Sequence, residues 1–390
     1  MSKFLRHVRL VGLITGGIMS AGISFAVLSL ALPIHVWRTG EPPALPIPVE
    51  PGQRFAAFPL RLWIDTDAAC GTGSATDADD CLALLLLAEE PRMDIAGVST
   101  VFGNASLEET DGITRALVQA LNAERQRPVL VHQGSPDRLP GKATTPVRGA
   151  SVTAVTMLRR ALAQGPLTIL ALGPLTNVAA ALHERPDLRA NVVKIVAVMG
   201  RRKGHVFHPI EGATARSLLG HGPIFRDFNF TKDEEAAGRV MAMGLPLSLV
   251  PYEAARAIKL KPTDLDRMEA RGGAAAWVAR RAKPWMAYWQ EGIGLEGFYP
   301  FDLVAAAYVV EPSLLRCAPV QAAVDDDTWL FGWLGYRGLF VAPQYSSEIR
   351  SSVAAPVLYC PQVSASLGPW LTARLAGVPS AQALYVRSSP

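Results

Sequence analysis

Apolar and polar positions alternate along this chain in blocks that predict strands and helices in turn. Short apolar runs such as LRLWID (60–65) and LTILAL (167–172) are followed by helix-like segments such as DDCLALLLLAEE (79–90) and TNVAAALH (176–183). Short apolar strands separated by helices are typical of parallel strands that are covered on both faces. The pattern therefore predicts an α/β domain with an open, mostly parallel sheet and helices on both faces.

The second half of the chain is less regular. Its pattern predicts helices near residues 232–244, 263–283 and 302–311 and an antiparallel hairpin near residues 318–342. No linker composition is visible after residue 55. We therefore expect residues 55–390 to form one domain.

The N-terminal part has a different composition. Residues 1–9 are basic, residues 10–33 form an uncharged and mostly apolar run, and residues 34–54 are rich in proline. The apolar run is long enough to cross a bilayer, and its basic flank favours the cytoplasm. We predict an N-terminal transmembrane helix followed by an extended linker. A cleaved signal, with SLA (29–31) as the cleavage site, is the alternative.

The charge and the cysteine content narrow the range of cellular compartments and of binding partners that fit this chain. The net charge of +4 is small for 390 residues, and lysine and arginine are scattered along the chain, which argues against a nucleic-acid partner. The membrane segment predicts a single-pass inner-membrane protein with a periplasmic domain, or a secreted protein if the segment is cleaved. Four cysteines are compatible with one or two disulfides in such a compartment. Cys70 and Cys81 are either bridged or free buried thiols.

Five aspartates gather where the first predicted strand gives way to its helix. Asp65 and Asp67 end the strand, and Asp77, Asp79 and Asp80 lie at the start of the helix. A helix cap needs only one acidic residue, and unpaired buried carboxylates are costly. The surplus favours a bound cation. Oxygen ligands without histidine suit calcium or magnesium rather than zinc.

Other predicted strands also end in residues that could reach a ligand. In an open parallel sheet, ligands bind outside the carboxyl ends of the strands. Asn104, Leu172 and Met199 lie at three such ends. We expect them to lie close to the aspartates.

The order of several motifs resembles that of the inosine-uridine preferring nucleoside hydrolases. The acidic signature of that family, D-T-D-P-G-x-D-D, is matched by DTD (65–67) and DD (79–80). Further matches follow in the family's order: VFGNASLEE, LTILALGPLTNVAAAL, IVAVMG, DFNFTKDEEAA and PFDLVAAAYVVEP. The resemblance covers residues 58–312, and LGPLTNVA is its most specific part. It implies the nucleoside hydrolase fold and a calcium-dependent hydrolysis of the N-glycosidic bond of a ribonucleoside.

The resemblance also implies individual roles. The groups that would bind Ca²⁺ are the side chains of Asp67, Asp80 and Asp302 and the backbone carbonyl of Leu172. Asp67 would in addition be the general base that accepts a proton from water. The residues that would hold the sugar are Asp79, Asn104, Met199, Asp227 and Asn229. The family is commonly dimeric or tetrameric, so the expected partners are a small nucleoside-like substrate, the membrane and a second copy of the chain.

Three features depart from the family pattern. The insert ACGTGSAT (69–76) lengthens the link between the aspartates, and it could close over the pocket, be tied down by a Cys70–Cys81 bridge, or displace Asp67 from the metal. Phe301 stands where the family has a histidine that protonates the departing base, which predicts another donor or a changed substrate range. The third feature is a long basic segment, residues 201–226, which is either a solvated loop or a site for an acidic substituent of the substrate.

Candidate replacement donors are His205, His208 and His221, with Tyr288 and Tyr299 as weaker ones. Two other functions remain open. A strand ending in D-T-D is also found in DxD phosphatases, with Asp65 as nucleophile and Asp67 as acid, but the later acidic pair of that class is missing. A membrane-tethered protein of the same fold that binds ribose or a nucleoside without hydrolysing it is the other alternative.

Overall fold

The computed structural model describes residues 47–379 with gaps at 54, 56–58, 124, 126, 142–151, 204–226, 330–333, 345, 347–348, 350 and 352–353. The predicted membrane segment, residues 10–33, lies outside the described residues, as do residues 1–9. Among the helices that are described, none is long and apolar enough to cross a bilayer.

Ten strands in the described part of the chain form one sheet. In chain order they are β1 (Glu50–Pro51), β2 (Leu60–Thr66), β3 (Met93–Thr100), β4 (Val131–His132), β5 (Leu167–Ala171), β6 (Val192–Ala197), β7 (Leu247–Leu249), β8 (Leu315–Trp329), β9 (Leu334–Ala342) and β10 (Ala355–Val363). The spatial order is β1-β8-β10-β7-β6-β5-β2-β3-β4, and β9 pairs with β8. From β4 to β10 all neighbours are parallel, whereas every pairing of β8 is antiparallel. The predicted mostly parallel α/β sheet is confirmed.

The described α-helices connect and cover these strands. They are α1 (Asp79–Ala88), α2 (Leu107–Asn122), α3 (Val152–Ala163), α4 (Thr176–His183), α5 (Phe228–Lys232), α6 (Glu234–Ala242), α7 (Tyr252–Ala255), α8 (Pro262–Arg271), α9 (Gly273–Ala287), α10 (Phe301–Val310) and α11 (Leu367–Leu375). A π-helical turn, Tyr288–Ile293, continues α9, and short 3₁₀ turns span Pro186–Asn191 and Pro312–Leu314.

Apolar side chains pack on both faces of the sheet. In β2, Leu62 and Ile64 point into the core under α1 and α10, and Trp63 between them points into the core on the other face. All ten residues of α1 are buried, and α10 is buried apart from Phe301. A helix that is apolar all round belongs inside a protein. These two central helices therefore fix the position of the aspartates at their N-terminal ends.

Two element boundaries differ from the sequence prediction. The helix predicted over 263–283 is two helices, because Gly272 and Gly273 adopt φ values of +83° and +55° and end α8 before α9 begins. The predicted linker, residues 34–54, ends inside the sheet, where Glu50 pairs with Cys317. The hairpin predicted near 318–342 is confirmed as β8 and β9.

Candidate active site and metal centre

The last residues of β2 place the first two aspartates in different surroundings. Asp65 is fully buried, and its Oδ1 accepts hydrogen bonds from Ser99 Oγ and from Asn177 Nδ2 at 2.8 Å. Burial raises the pKa of Asp65 to about 7. Asp65 is not among the described residues that line the main cavity. A buried carboxyl group held in this way is poorly placed for the nucleophilic role of a phosphatase.

Asp67 lies two residues further on, at the carboxyl edge of the sheet. Its Oδ2 accepts a hydrogen bond from the backbone N–H of Asn104 at 2.9 Å. The side-chain amide of Asn104 also donates to Oδ1 of Asp67 at 3.4 Å and to Oδ2 of Asp80 at 3.0 Å. Gly103 and Gly173 leave room for the Asp67 carboxylate, because a Cβ at either position would lie 3.1 Å or less from it. One amide therefore joins two of the predicted site aspartates.

Three buried carboxyl groups come together beside this pair. Ligand oxygens of Asp79, Asp80 and Asp302 lie within 4.8 Å of one another. The backbone N–H of Asp302 donates to Oδ2 of Asp79 at 2.8 Å, and Thr66 Oγ1 donates to Asp80. The resemblance implied Asp67 rather than Asp79 as the third carboxylate of the metal set. The structure places Asp67 next to this trio, connected through Asn104.

The electrostatics of the cluster favour a cation. Burial, followed by the negative charge of Asp79, raises the pKa of Asp80 to about 6. Burial and the charges of Asp79 and Asp80 raise the pKa of Asp302 well above its ordinary value, and burial and Asp80 do the same for Asp67. Like charges this close bind protons unless a positive charge offsets them. An all-oxygen donor set of buried carboxylates fits a hard divalent ion such as calcium.

The cluster opens into a cavity of about 670 Å³, a volume typical of small-molecule sites. All but two of the nine predicted site residues line it; the lining includes Asp79, Asn104, Leu172, Met199, Asp227, Asn229 and Asp302. Asp67 and Asp80 are not among the residues that line it.

Three of the residues predicted to hold the sugar, Met199, Asp227 and Asn229, follow β6 or lie at the start of α5. Asp227 is the N-cap of α5, and its Oδ2 accepts from the backbone N–H of Gly200 at 2.7 Å. The side-chain amide of Asn229 donates to the carbonyls of Leu172 and, at 3.1 Å, Val198. The Leu172 carbonyl, implied as a metal ligand, therefore already accepts one hydrogen bond.

Comparison with known proteins identifies the family to which this chain belongs. A profile of the family described as inosine-uridine preferring nucleoside hydrolase matches residues 62–346. The chain belongs to this family. The pyrimidine-specific ribonucleoside hydrolase RihB of Escherichia coli strain K12 is 25% identical over 264 residues, which are 63% of this chain and 80% of that protein.

Solved structures of the family share the fold. A plant nucleoside hydrolase, PpNRh1, superposes with a TM-score of 0.62 at 20% identity, covering 82% of this chain and 99% of that one. The purine-preferring ribonucleoside hydrolase from Gardnerella vaginalis gives a TM-score of 0.58 at 19% identity, with the same coverage. The nucleoside hydrolase fold expected from the motifs is confirmed.

An aromatic wall faces the cavity at the point where this family member departs from the family pattern. Phe301, Trp285 and Tyr288 line the cavity, and the rings of Trp285 and Tyr288 stack with centroids 5.2 Å apart. Tyr299 is instead buried against Trp289, with ring centroids 4.9 Å apart, and does not line the cavity. His205, His208 and His221 lie outside the described residues.

Several residues that shape the site were not assigned a role from the sequence. Asn177 and Ser99 hold Asp65, and Thr66 donates to Asp80. Asn177 lies inside the motif LGPLTNVA and Thr66 inside DTD. These motifs indicated that the two residues belong to the site, but they did not predict the hydrogen bonds that the residues form. Tyr252 lines the cavity from α7, and no pattern in the sequence connects it with the site.

Proposed function

We propose that this nucleoside hydrolase family member cleaves the N-glycosidic bond of ribonucleosides in a calcium-dependent reaction, giving ribose and free base. Family membership supports hydrolysis of that bond. The observation that carries the calcium proposal is the group of three buried carboxylates, Asp79, Asp80 and Asp302, beside a cavity of nucleoside size.

The proposed roles of the acidic residues follow from the charge that the reaction develops. Cleavage passes through a cationic, oxocarbenium-like sugar, which negative side chains near the ring stabilise. Asp79 lines the cavity and would accept hydrogen bonds from ribose hydroxyls, while Asp67 would take a proton from the attacking water. A bound calcium ion would lower the pKa of water and favour its attack.

The remaining cavity residues would orient the substrate. Asn104, Met199, Asp227 and Asn229 are proposed to surround the sugar, together with the carbonyl of Leu172 as part of the metal site. The stacked rings of Trp285 and Tyr288 offer an apolar face of the kind that binds a nucleobase.

We further propose that pyrimidine nucleosides are better substrates than purine nucleosides. Phe301 lines the cavity where the family has a histidine, and its ring has no proton to donate to the leaving group. Purine leaving groups gain most from such an acid. The likeness to a pyrimidine-specific hydrolase of Escherichia coli agrees with this preference.

The proposal is tested by release of reducing sugar from uridine, cytidine, inosine and adenosine, with and without a chelator. We expect chelation, Asp80→Ala and Asp67→Asn each to lower kcat/KM by about 10³-fold or more, in the range seen when essential catalytic groups are removed. Asp187→Asn is the matched control, because Asp187 is exposed and paired with Arg185 away from the cavity.

The outcomes separate the alternatives. Sugar release that is unaffected by the chelator and by both site variants would contradict the mechanism. Nucleoside binding measured by calorimetry without any sugar release would identify a binding protein of this fold. Phosphate release from phosphomonoesters would instead support the hypothesis that the chain is a phosphatase.

We also propose that residues 10–33 anchor the chain in the inner membrane, with residues 55–390 as one periplasmic domain that can form homo-oligomers. Two disulfides, Cys70–Cys81 and Cys317–Cys360, support an oxidising compartment. Fractionation of cells that express the full chain tests the anchor. Recovery in the soluble periplasmic fraction with a shortened N-terminus would show a cleaved signal instead.

A further inference from the structure

The segment from Cys70 to Cys81, called here the Cys70–Cys81 loop, joins β2 to α1 and is closed by a disulfide. Both cysteines are fully buried, whereas Thr72, Ser74 and Ala75 between them are exposed. Exposed loop residues gain little stability from packing. The disulfide is therefore a main constraint on the conformation of this loop.

The end of the loop supplies the cap that α1 otherwise lacks. Ala78 is the N-cap residue and has no side chain that can accept a hydrogen bond. Oδ1 of Asp77 instead accepts from the backbone N–H of Ala78 at 2.7 Å and of Asp79 at 3.1 Å. Asp77 thus fixes the first turn of α1, which carries Asp79 and Asp80.

The same loop forms part of the cavity wall. Ala75, Thr76 and Asp77 line the cavity together with Asp79 and Asp302. At its other end the loop turns at Gly71, which has a φ of +74° and lies close to Arg281 of α9, where an added Cβ would come within 3.2 Å. The insert thus packs closely against α9 at Gly71 and forms part of the wall of the site.

We propose that Asp77 and the Cys70–Cys81 disulfide are positioning elements for the metal centre. The disulfide holds the loop, the Asp77 carboxylate holds the first turn of α1, and that turn presents Asp79 and Asp80 towards Asp302. The assignment of calcium as the ion rests on the proposed function, whereas the positioning of the helix turn does not.

A pair of Asp77 variants tests the role of the hydrogen bonds. Asp77→Asn keeps an oxygen acceptor for the two N–H groups, and Asp77→Ala removes it. We expect Asp77→Ala to increase amide hydrogen exchange in a peptide spanning residues 76–86 of the metal-free protein by about fivefold, as for loss of a helix cap. Calcium affinity, measured by calorimetry, should fall by about tenfold. Asp77→Asn should stay close to wild type in both measurements.

Two double variants test the disulfide. Cys70→Ser with Cys81→Ser should lower calcium affinity by about tenfold or more and speed exchange in residues 76–86. Cys317→Ser with Cys360→Ser is the matched control, because that bond joins β8 to β10 and neither cysteine lines the cavity. The control should lower Tm and leave calcium affinity unchanged.

Each outcome decides one point. Equal losses of affinity in Asp77→Asn and Asp77→Ala would show that Asp77 acts through its charge, which overturns the positioning role. Unchanged exchange and affinity in Asp77→Ala would overturn it as well. If the Cys70–Cys81 double variant does not fold, the Asp77 pair still decides the role of the loop. A wild-type protein that binds no calcium would refute the proposed function, while the exchange measurements would still test the positioning.

Discussion

At the scale of single residues, the site combines buried acidic groups with an aromatic side chain, Phe301, at the position where the family has a histidine. Asn104 connects Asp67 with Asp80, and Asp302 is tied to Asp79 through its own backbone N–H. Phe301 lies directly before Asp302 and lines the same cavity. The acidic part of the site brings together aspartates of the acidic motif, whereas Phe301 stands where the family motif has a histidine.

The leaving-group part can be tested by restoring the family residue. Phe301→His places an imidazole at the cavity, and we expect kcat for inosine to rise by about 10²-fold, the lower end of general acid catalysis. Uridine hydrolysis should change less. Phe301→Leu, which adds no proton donor, is the control. Equal inosine hydrolysis by both variants, measured as reducing sugar, would show that the base leaves by another route.

At the scale of elements, two buried helices carry the acidic residues. Asp79 and Asp80 open α1 and Asp302 lies in the first turn of α10, and these helices pack against each other. The distances between the carboxylates therefore depend on apolar packing further along both helices.

We expect Leu85→Ala in α1 to lower the free energy of unfolding by about 3 kcal/mol, because it leaves a cavity in a close-packed core. Leu85 is 1% exposed. Leu130→Ala is the matched control, since Leu130 is 59% exposed and its truncation should change stability by about 0.5 kcal/mol or less. Urea unfolding of the metal-free protein measures both. Similar losses in the two variants would contradict the role assigned to this packing.

At the scale of the whole molecule, ionisation of the buried acidic groups lowers the stability of the metal-free protein. The pKa values of Asp80 and Asp227 are raised to about 6, mainly by burial, from an ordinary value of 3.8. The folded state therefore holds these protons more tightly than the unfolded chain. The stabilisation that comes from this tighter proton binding is fully present below about pH 3.8. It is lost as the pH rises through about 6.

We accordingly expect the Tm of the chelator-treated protein to be higher at pH 5 than at pH 7 by about 5 °C. Saturating calcium should remove this difference, because the ion stabilises the ionised carboxylates at pH 7. The Asp80→Asn, Asp227→Asn double variant should also show a flatter profile. A Tm that increases from pH 5 to pH 7 in the presence of chelator would contradict the prediction. Thermal unfolding followed by circular dichroism is the measurement.

The sequence by itself determined the class of the fold, the family and the edge of the sheet where the site lies. Those features depend on periodicity and on strand ends such as Asp67 and Asn104, which are local properties of the chain. It also predicted the helices that the structure shows as α1 and α10.

Only the tertiary structure decided which groups meet. It placed Asp79 with Asp80 and Asp302, bound Asp65 to Asn177 and Ser99, and made Asp77 the cap of α1. These contacts join residues that are as far as 223 positions apart in the chain, or depend on the conformation of an inserted loop. Distances and side-chain directions of this kind follow from the packing of the whole sheet and its helices, which no local pattern contains.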